Sequence, residues 1–304
     1  MAGLSGVLSR HRPADSVTVI FLLFLDALTI LFWHALPTAP LLTSLYSTLI
    51  IVQLTLIRFR NKNNFLSILY SIVFPIVCVL LIFDSLGQLV HYINPTDIDP
   101  LLIRVDYMVF HAHPTVMIEK IASPLLTDIL QLAYTSYYFI PISFCIILFR
   151  NNLKRDFDRS VFLILLCFYL SYLGYILFPA LGPRFSLNSV QTTELQGFLI
   201  AEPLQHMLNR LEGIKRDAFP SGHTAITVLV LCLAYRYKRD FFWIALPVVS
   251  ALIFATVYCR YHYVVDVIAG FALTLLTLVL GKIYYAWWEK RQTGLTPGQQ
   301  RGLR

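Results

Sequence analysis

Three short windows of the chain hold residue types that could handle a phosphate group. The first runs Tyr258-Cys259-Arg260-Tyr261-His262-Tyr263-Val264-Val265-Asp266, with His262 and Asp266 four residues apart. On a helix that spacing puts both on one face, where a carboxylate can hold one imidazole nitrogen and leave the other aimed at an electrophile. The second window is Asp217-Ala218-Phe219-Pro220-Ser221-Gly222-His223-Thr224. A proline before a serine reads as a helix start with Ser221 as its N-cap, and Gly222 opens the backbone to close approach. The unpaired N–H groups and positive dipole of such an end attract anions, and His223 adds a proton donor. The third window, Phe178-Pro179-Ala180-Leu181-Gly182-Pro183-Arg184-Phe185, fixes Arg184 behind helix-breaking residues. Its planar fork suits a phosphate because it donates two parallel hydrogen bonds. Lys215, Arg216 and Arg260 stand close to these windows and could add positive charge.

These windows need elements to bring them together, and composition says what kind. Of 304 residues, 57% are hydrophobic and 13% charged, and the mean hydropathy is +0.68. A soluble domain is about half apolar and a quarter charged, so lipid is the expected solvent. A span needs roughly 20 mostly apolar residues, and eight such stretches occur, near 17–36, 41–59, 65–86, 124–149, 160–179, 221–237, 241–258 and 263–287. The first is too long for a cleaved leader, contains Asp26, and lacks a small-residue cleavage site. The reading is all-α and polytopic.

The net charge of +7 is explained by placement, not by a nucleic-acid partner. With the N-terminus cytoplasmic, the inner segments carry Arg10, Arg12, Arg58, Arg60, Lys62, Arg150, Lys154, Arg155, Arg159, Arg236, Lys238 and Arg239. The C-terminal tail adds Lys282, Lys290, Arg291, Arg301 and Arg304, making 17 of the 24 basic residues; Arg104, Lys120 and Arg210 join those of the three windows outside. This alternation is what the positive-inside rule demands. It puts both termini in the cytoplasm of an inner or plasma membrane and the three windows on the extracytoplasmic side. Five scattered cysteines show no metal or disulfide spacing.

The long loops on the window side differ. In 87–123, Leu101, Leu102, Val105, Met108 and Val109 share a helical face while Asp99, Arg104 and Asp106 lie elsewhere, which predicts a short amphipathic helix in the interface, with a second after Pro114. Loop 180–220 is more polar, and the tail from about 291 reads as disordered. Asp26, Asp84 and Asp128 fall within or beside spans, and Asp26 has no evident basic partner in sequence. His111 and His113 read as solvated rather than metal-binding; Tyr134, Tyr137 and Tyr138 read as an aromatic lining or packing group.

The PSGH at 220–223 and the H-x-x-x-D at 262–266 match the second and third motifs of the type 2 phosphatidic-acid phosphatase (PAP2) superfamily, which the chain resembles over about 65–287. The resemblance implies a six-helix catalytic domain (65–290, with interfacial helices at 95–123), two accessory N-terminal helices (1–64) and a cytoplasmic tail (291–304). It implies that His262 attacks phosphorus to form a phosphohistidine, that Asp266 orients it, and that His223 protonates the leaving oxygen. Arg184, Ser221, Gly222, Arg260 and Lys215 would bind the phosphoryl oxygens, with neither metal nor cofactor. The substrate would be a phosphorylated lipid, phosphatidate or an isoprenoid phosphate. Two family positions differ: Leu177 stands for a lysine and Thr256 for an arginine, and the usual Arg-Pro is Pro183-Arg184. That pattern is similar to inositol phosphorylceramide synthases, which transfer a headgroup to a lipid alcohol. A non-enzymatic lipid transporter is the third reading.

Overall fold

A computed structural model describes residues 11–205 and 215–293. Arg10, Arg210, Arg301, Arg304 and the tail expected beyond 293 lie outside these. Among the described residues every regular element is helical, as composition and apolar run length require. The long elements are α1 (Pro13–Leu31), α2 (Ala39–Phe59) and α3 (Asn64–Ile93), the last carrying a π-helical turn at Leu69–Val73. The short α4 (Asp99–Phe110) and α5 (Pro114–Met117) follow. Then come α6 (Pro124–Thr135), α7 (Ile140–Arg150), α8 (Lys154–Leu177), α9 (Pro183–Ser186), α10 (Gly222–Tyr237), α11 (Arg239–Tyr258) and α12 (Val264–Thr293).

The protein is an integral membrane protein. Six helices, α1, α2, α3, α8, α11 and α12, are long and apolar enough to cross a bilayer. The stretch expected as one span at 124–149 is instead a bent pair, a broken span or a re-entrant loop: the segment Pro124–Tyr138 meets α7 at 47°, where Pro141 supplies no N–H to the preceding turn. The eighth expected crossing, α10, has 16 residues, about 24 Å at ~1.5 Å per residue and short of a ~30 Å hydrocarbon core. Its length is set by the site loop, which takes the residues up to Ser221. The helix α12 runs to Thr293, so residues 291–293 expected in the tail continue a helix instead.

The long helix α8 forms the centre, packed against α1, α3, α7, α10 and α12. Of the two N-terminal helices, α1 docks on it through Phe21 stacked on Tyr169 at 4.7 Å and through the Thr18 and Tyr169 hydroxyls at 3.0 Å, and α2 packs on α1. Asp26 remains half-buried there, with Oδ1 lacking a hydrogen-bond partner among the described residues. The interfacial helix expected at 99–109 is α4. Leu101, Met108 and Val109 are exposed on one side and Asp99 and Asp106 are buried on the other. The acids therefore face protein, the reverse of a helix floating on a soluble domain. His111 ends α4 in the left-handed region, exposed, and the His113 ring lies against Tyr107.

Candidate active site

The three windows meet at one end of the bundle. Ser221 caps α10, and its hydroxyl oxygen accepts from the Thr224 N–H at 3.3 Å. The Ser221 N–H in turn donates to the Asp266 carbonyl at 3.1 Å, tying the start of α10 to the first turn of α12. Between α11 and α12 the chain turns through Arg260, whose φ of 64° is left-handed and costs a non-glycine residue about 1–2 kcal/mol. That turn points the Arg260 carbonyl at the Arg184 N–H, which donates to it at 2.9 Å. Gly182 completes the junction: its φ is 87°, and a Cβ there would lie 2.6 Å from the Tyr261 carbonyl oxygen.

His262 is buried, and its two nitrogens are distinct. Nδ1 lies 2.8 Å from the Ala218 carbonyl oxygen. A carbonyl can only accept, so the proton is on Nδ1 and the lone pair on Nε2. Nε2 faces Nδ1 of His223 at 3.4 Å, so the His223 Nδ1–H is the donor nearest the nucleophilic atom. His223 is sandwiched by Tyr134 and Tyr137, with ring centroids at 4.4 and 4.1 Å. The expected aromatic lining thus serves to fix the ring. Asp266 sits in a different relation to His262 from the one its spacing suggests. Its Oδ2 accepts from the Tyr263 N–H at 2.8 Å and is 3.6 Å from His262 Nδ1, beyond hydrogen-bond range. Orientation comes from Ala218, while the fully buried Asp266 carboxyl lies beside the ring; its Oδ1 has no partner among the described residues.

Two cavities flank the histidines. A polar one of about 300 Å³ is lined by Arg184, Lys215, Asp217, Arg260, Tyr261 and His262, with Tyr134, Leu181, Phe185 and Gln205. An apolar one of about 210 Å³ runs from His223, Tyr175 and Asp217 past Tyr172, Phe168, Leu165 and Ile142 toward Val79 and Leu80. Asp217 lines both. Burial pushes its carboxyl up to about 6, against the pull of His262 and Arg184, which favour the ionised form.

Of the residues singled out in sequence, the polar cavity therefore gathers His262, Arg184, Lys215 and Arg260, and the apolar one holds His223. Ser221 and Gly222 line neither. The Ser221 hydroxyl is fully buried and spent on its own helix cap. Gly222 answers to a packing demand, since a Cβ would run into the Tyr175 hydroxyl. Arg260 is largely committed: its Nη2 donates to Glu119 Oε1 at 2.8 Å and to the Thr193 carbonyl at 2.5 Å, and its Nε has no partner among the described residues. Arg216 is paired with Asp97 through two hydrogen bonds at 2.5 and 3.1 Å. Sequence reasoning missed Glu119, Asp97 and Asp217. Only Asp217 stood in a quoted window; the other two are acids of distant loops with no local signature.

The same reasoning missed the anchors of the loops. Asp128 accepts from four consecutive N–H groups, Phe198 to Ala201, at 2.7 to 3.1 Å. Among the described residues no group of three or more His, Cys, Asp or Glu is arranged to hold a metal ion.

The sequence model of the PAP2 superfamily matches residues 101–280, more than half the chain. That match begins within α4 and leaves α1, α2 and α3 outside it. A PA-phosphatase related-family protein of Dictyostelium discoideum is 28% identical over 187 residues, which cover 55% of this chain. The matched part is about a third (34%) of that relative's length. No solved structure matches the chain.

Proposed function

Because the chain belongs to the PAP2 superfamily, we propose that it is a membrane lipid-phosphate phosphatase working through a phosphohistidine on His262. The observation that carries this reading is the meeting of two unlike cavities at two histidines whose nitrogens are 3.4 Å apart. A phosphoryl group suits the cavity of Arg184 and Lys215, and a hydrocarbon chain suits the cavity beside His223.

The steps follow from the geometry. With Nδ1–H held by Ala218, the His262 Nε2 lone pair attacks phosphorus and the P–O bond to the lipid breaks. His223, protonated on both nitrogens once the anionic phosphate is bound, gives the Nδ1 proton to the departing lipid oxygen and is left as a neutral imidazole. The oxygens that carry charge in the transition state are held by Arg184, with Lys215 and the Arg260 Nε adding field. Asp266 stabilises the phosphorylated imidazole, whose second nitrogen keeps its proton. A water activated by His223, now deprotonated, then attacks phosphorus, and inorganic phosphate leaves with His262 restored. By the distribution of basic residues, the site faces the extracytoplasmic side. The substrate is phosphatidate or an isoprenoid phosphate or diphosphate.

A second reading has its own support. Leu177 and Thr256 replace the basic residues usual in the family's phosphatases, and the apolar cavity could seat a lipid alcohol beside His223 in the second step. The protein would then transfer a phospho-headgroup in the manner of inositol phosphorylceramide synthases. One assay separates the two. The purified chain in detergent is given phosphatidic acid, an isoprenoid diphosphate or a phosphoinositide, with and without a lipid alcohol. Released phosphate supports the phosphatase, and a new phospholipid the transferase. Turnover of neither kind, or full turnover by His262→Ala, sinks the reading.

A further inference from the structure

Two carboxylates outside the histidine motifs hold its parts from one helix. Asp99 and Asp106 are seven residues apart on α4, two turns and so one face, and each is 3% exposed. Asp99 Oδ1 accepts from the Gly182 N–H at 2.9 Å, the Ser186 hydroxyl at 2.8 Å and the Tyr263 hydroxyl at 2.8 Å. Its Oδ2 accepts from the Leu181 N–H at 2.8 Å. Asp106 takes the Val264 and Val265 N–H groups, one on each oxygen, at 2.9 Å.

Those donors belong to two separate segments, and each carries a reacting part. Leu181, Gly182 and Ser186 bracket Arg184. Tyr263, Val264 and Val265 lie between His262 and Asp266. The carboxylate of Asp99 touches both segments at once, so it fixes their separation. Burying a carboxylate is costly unless donors satisfy it, and here N–H and O–H groups do so. The helix itself makes no call for acids on this face, since its other side, with Leu101, Met108 and Val109, is exposed apolar surface.

We propose that Asp99 and Asp106 are positioning residues: α4 serves as a ruler that holds the phosphate-binding arginine in register with the nucleophilic histidine. The proposal rests on the roles given above to Arg184 and His262. Asp99 acts mainly through Arg184, Asp106 through His262.

The test is a set of coupled variants of the full chain in detergent. Each is read by kcat and KM on phosphatidic acid, by sulfate protection against thermal unfolding, and by unfolding temperature without ligand. Asp99→Asn replaces an acceptor oxygen with an amide N–H donor facing N–H and O–H donors, and should lower kcat/KM by ~10–100-fold, the range for a residue that orients a ligand-binding group. On an Arg184→Ala background the same change should cost less than about 2-fold, because the register no longer has a cation to serve. Asp106→Asn should lower kcat ~10-fold or more with KM nearly unchanged, since it displaces the nucleophile and not the phosphate site. Losses that multiply across the double variant overturn the proposal, as do losses that simply follow unfolding temperature. If Asp99→Asn does not fold, Tyr263→Phe and Ser186→Ala each remove one donor and leave the carboxylate. Each should then cost ~2–10-fold in the parent and nothing further without Arg184. If the wild type turns over no substrate, the phosphatase reading falls and sulfate protection alone judges the ruler. Protection equal in Asp99→Asn and wild type, or absent from wild type, then overturns it too.

Discussion

The polar and apolar cavities share a wall and little else. One is lined by Arg184, Lys215, Arg260 and the buried His262; the other by aliphatic and aromatic side chains, with His223 at its end. The two histidines nearly touch, yet they face different media. Charge developing on a phosphoryl group is stabilised by fixed cations in a restricted site, whereas a lipid chain gains by leaving water wherever the wall is apolar. Under the proposed function, the two cavities would take the halves of a substrate, phosphate on one side and hydrocarbon on the other, with the bond to be broken between the imidazoles. Asp217 sits on the boundary and belongs to both.

The largest effect expected is at the nucleophile. On the proposed mechanism, removing His262 takes away the atom that would carry the phosphoryl group, and His262→Ala should reduce turnover by at least ~10³-fold on every substrate. Labelled substrate quenched during turnover should leave an acid-labile phosphoenzyme in wild type and none in the variant. Removal of His223 tests the other cavity. His223→Ala should lose ~10²–10⁴-fold on a lipid phosphate, where the departing alcohol needs a proton. With p-nitrophenyl phosphate, whose leaving group departs as an anion, the loss should fall to ~10-fold or less. Equal losses on both substrates would remove the acid role and with it the division of labour between cavities.

Filling the apolar cavity comes next. Ile142→Trp puts an indole into a space of about 210 Å³. It should raise KM for a long-chain lipid phosphate by ~10-fold or more, since one buried methylene contributes ~0.8 kcal/mol and several are displaced. A short, water-soluble phosphate ester should be turned over as before. A parallel loss on both would mean that the cavity is packing space rather than a chain-binding site.

The motif residues were legible because their spacing is local. His262 and Asp266 lie one turn apart, and Pro220 to His223 is a helix start that can be read letter by letter. Hydropathy gave the spans for the same reason; α10 begins and ends within one residue of the apolar run at 221–237, and the run expected at 124–149 is the one that bends, by 47°. What could not be read was everything held by non-local pairing. Asp99, Asp106 and Glu119 sit in one interfacial stretch and Asp128 in the helix that follows, yet each closes on N–H, O–H or guanidinium groups 70 to 164 residues away. Arg260 was chosen for its charge, and the structure pairs that charge with Glu119. The hydrogen bond that orients His262 comes from a backbone carbonyl, an acceptor every residue carries and no sequence pattern marks.

Asp217 gives a smaller effect with a sign that can be fixed in advance. Its carboxyl is pushed up to about 6 by burial, so between pH 7 and pH 5 it gains a proton and the polar cavity becomes more positive. Sulfate keeps its charge over that range, which makes it a clean probe. Its affinity for wild type should rise as pH falls through 6, by ~10-fold if one neighbouring charge contributes ~1.4 kcal/mol. Asp217→Asn should bind sulfate at pH 7.5 as tightly as wild type does at pH 5, with a flatter profile. The same raised value means that the folded form holds more protons than an unfolded carboxyl, so Asp217 lowers stability as pH rises from about 4 to about 6. The variant should lose that slope in thermal unfolding.

The smallest effect expected is at Lys215, and it tests how far the polar cavity reaches. The side chain is exposed at the cavity rim, where a single charge contributes little and salt screens it within ~8 Å at physiological ionic strength. Lys215→Ala should raise KM only ~2–5-fold at low salt and leave kcat unchanged, with the difference gone by ~0.5 M sodium chloride. Arg184 is held in the turn that Asp99 and Arg260 fix, so Arg184→Ala should lose kcat as well as KM, and salt should not restore it. If Lys215 behaved like Arg184, the boundary of the phosphate site would have to be redrawn to include the rim. The contrast between a fixed arginine and a solvated lysine lining the same cavity is what separates a transition-state contact from general attraction of an anion.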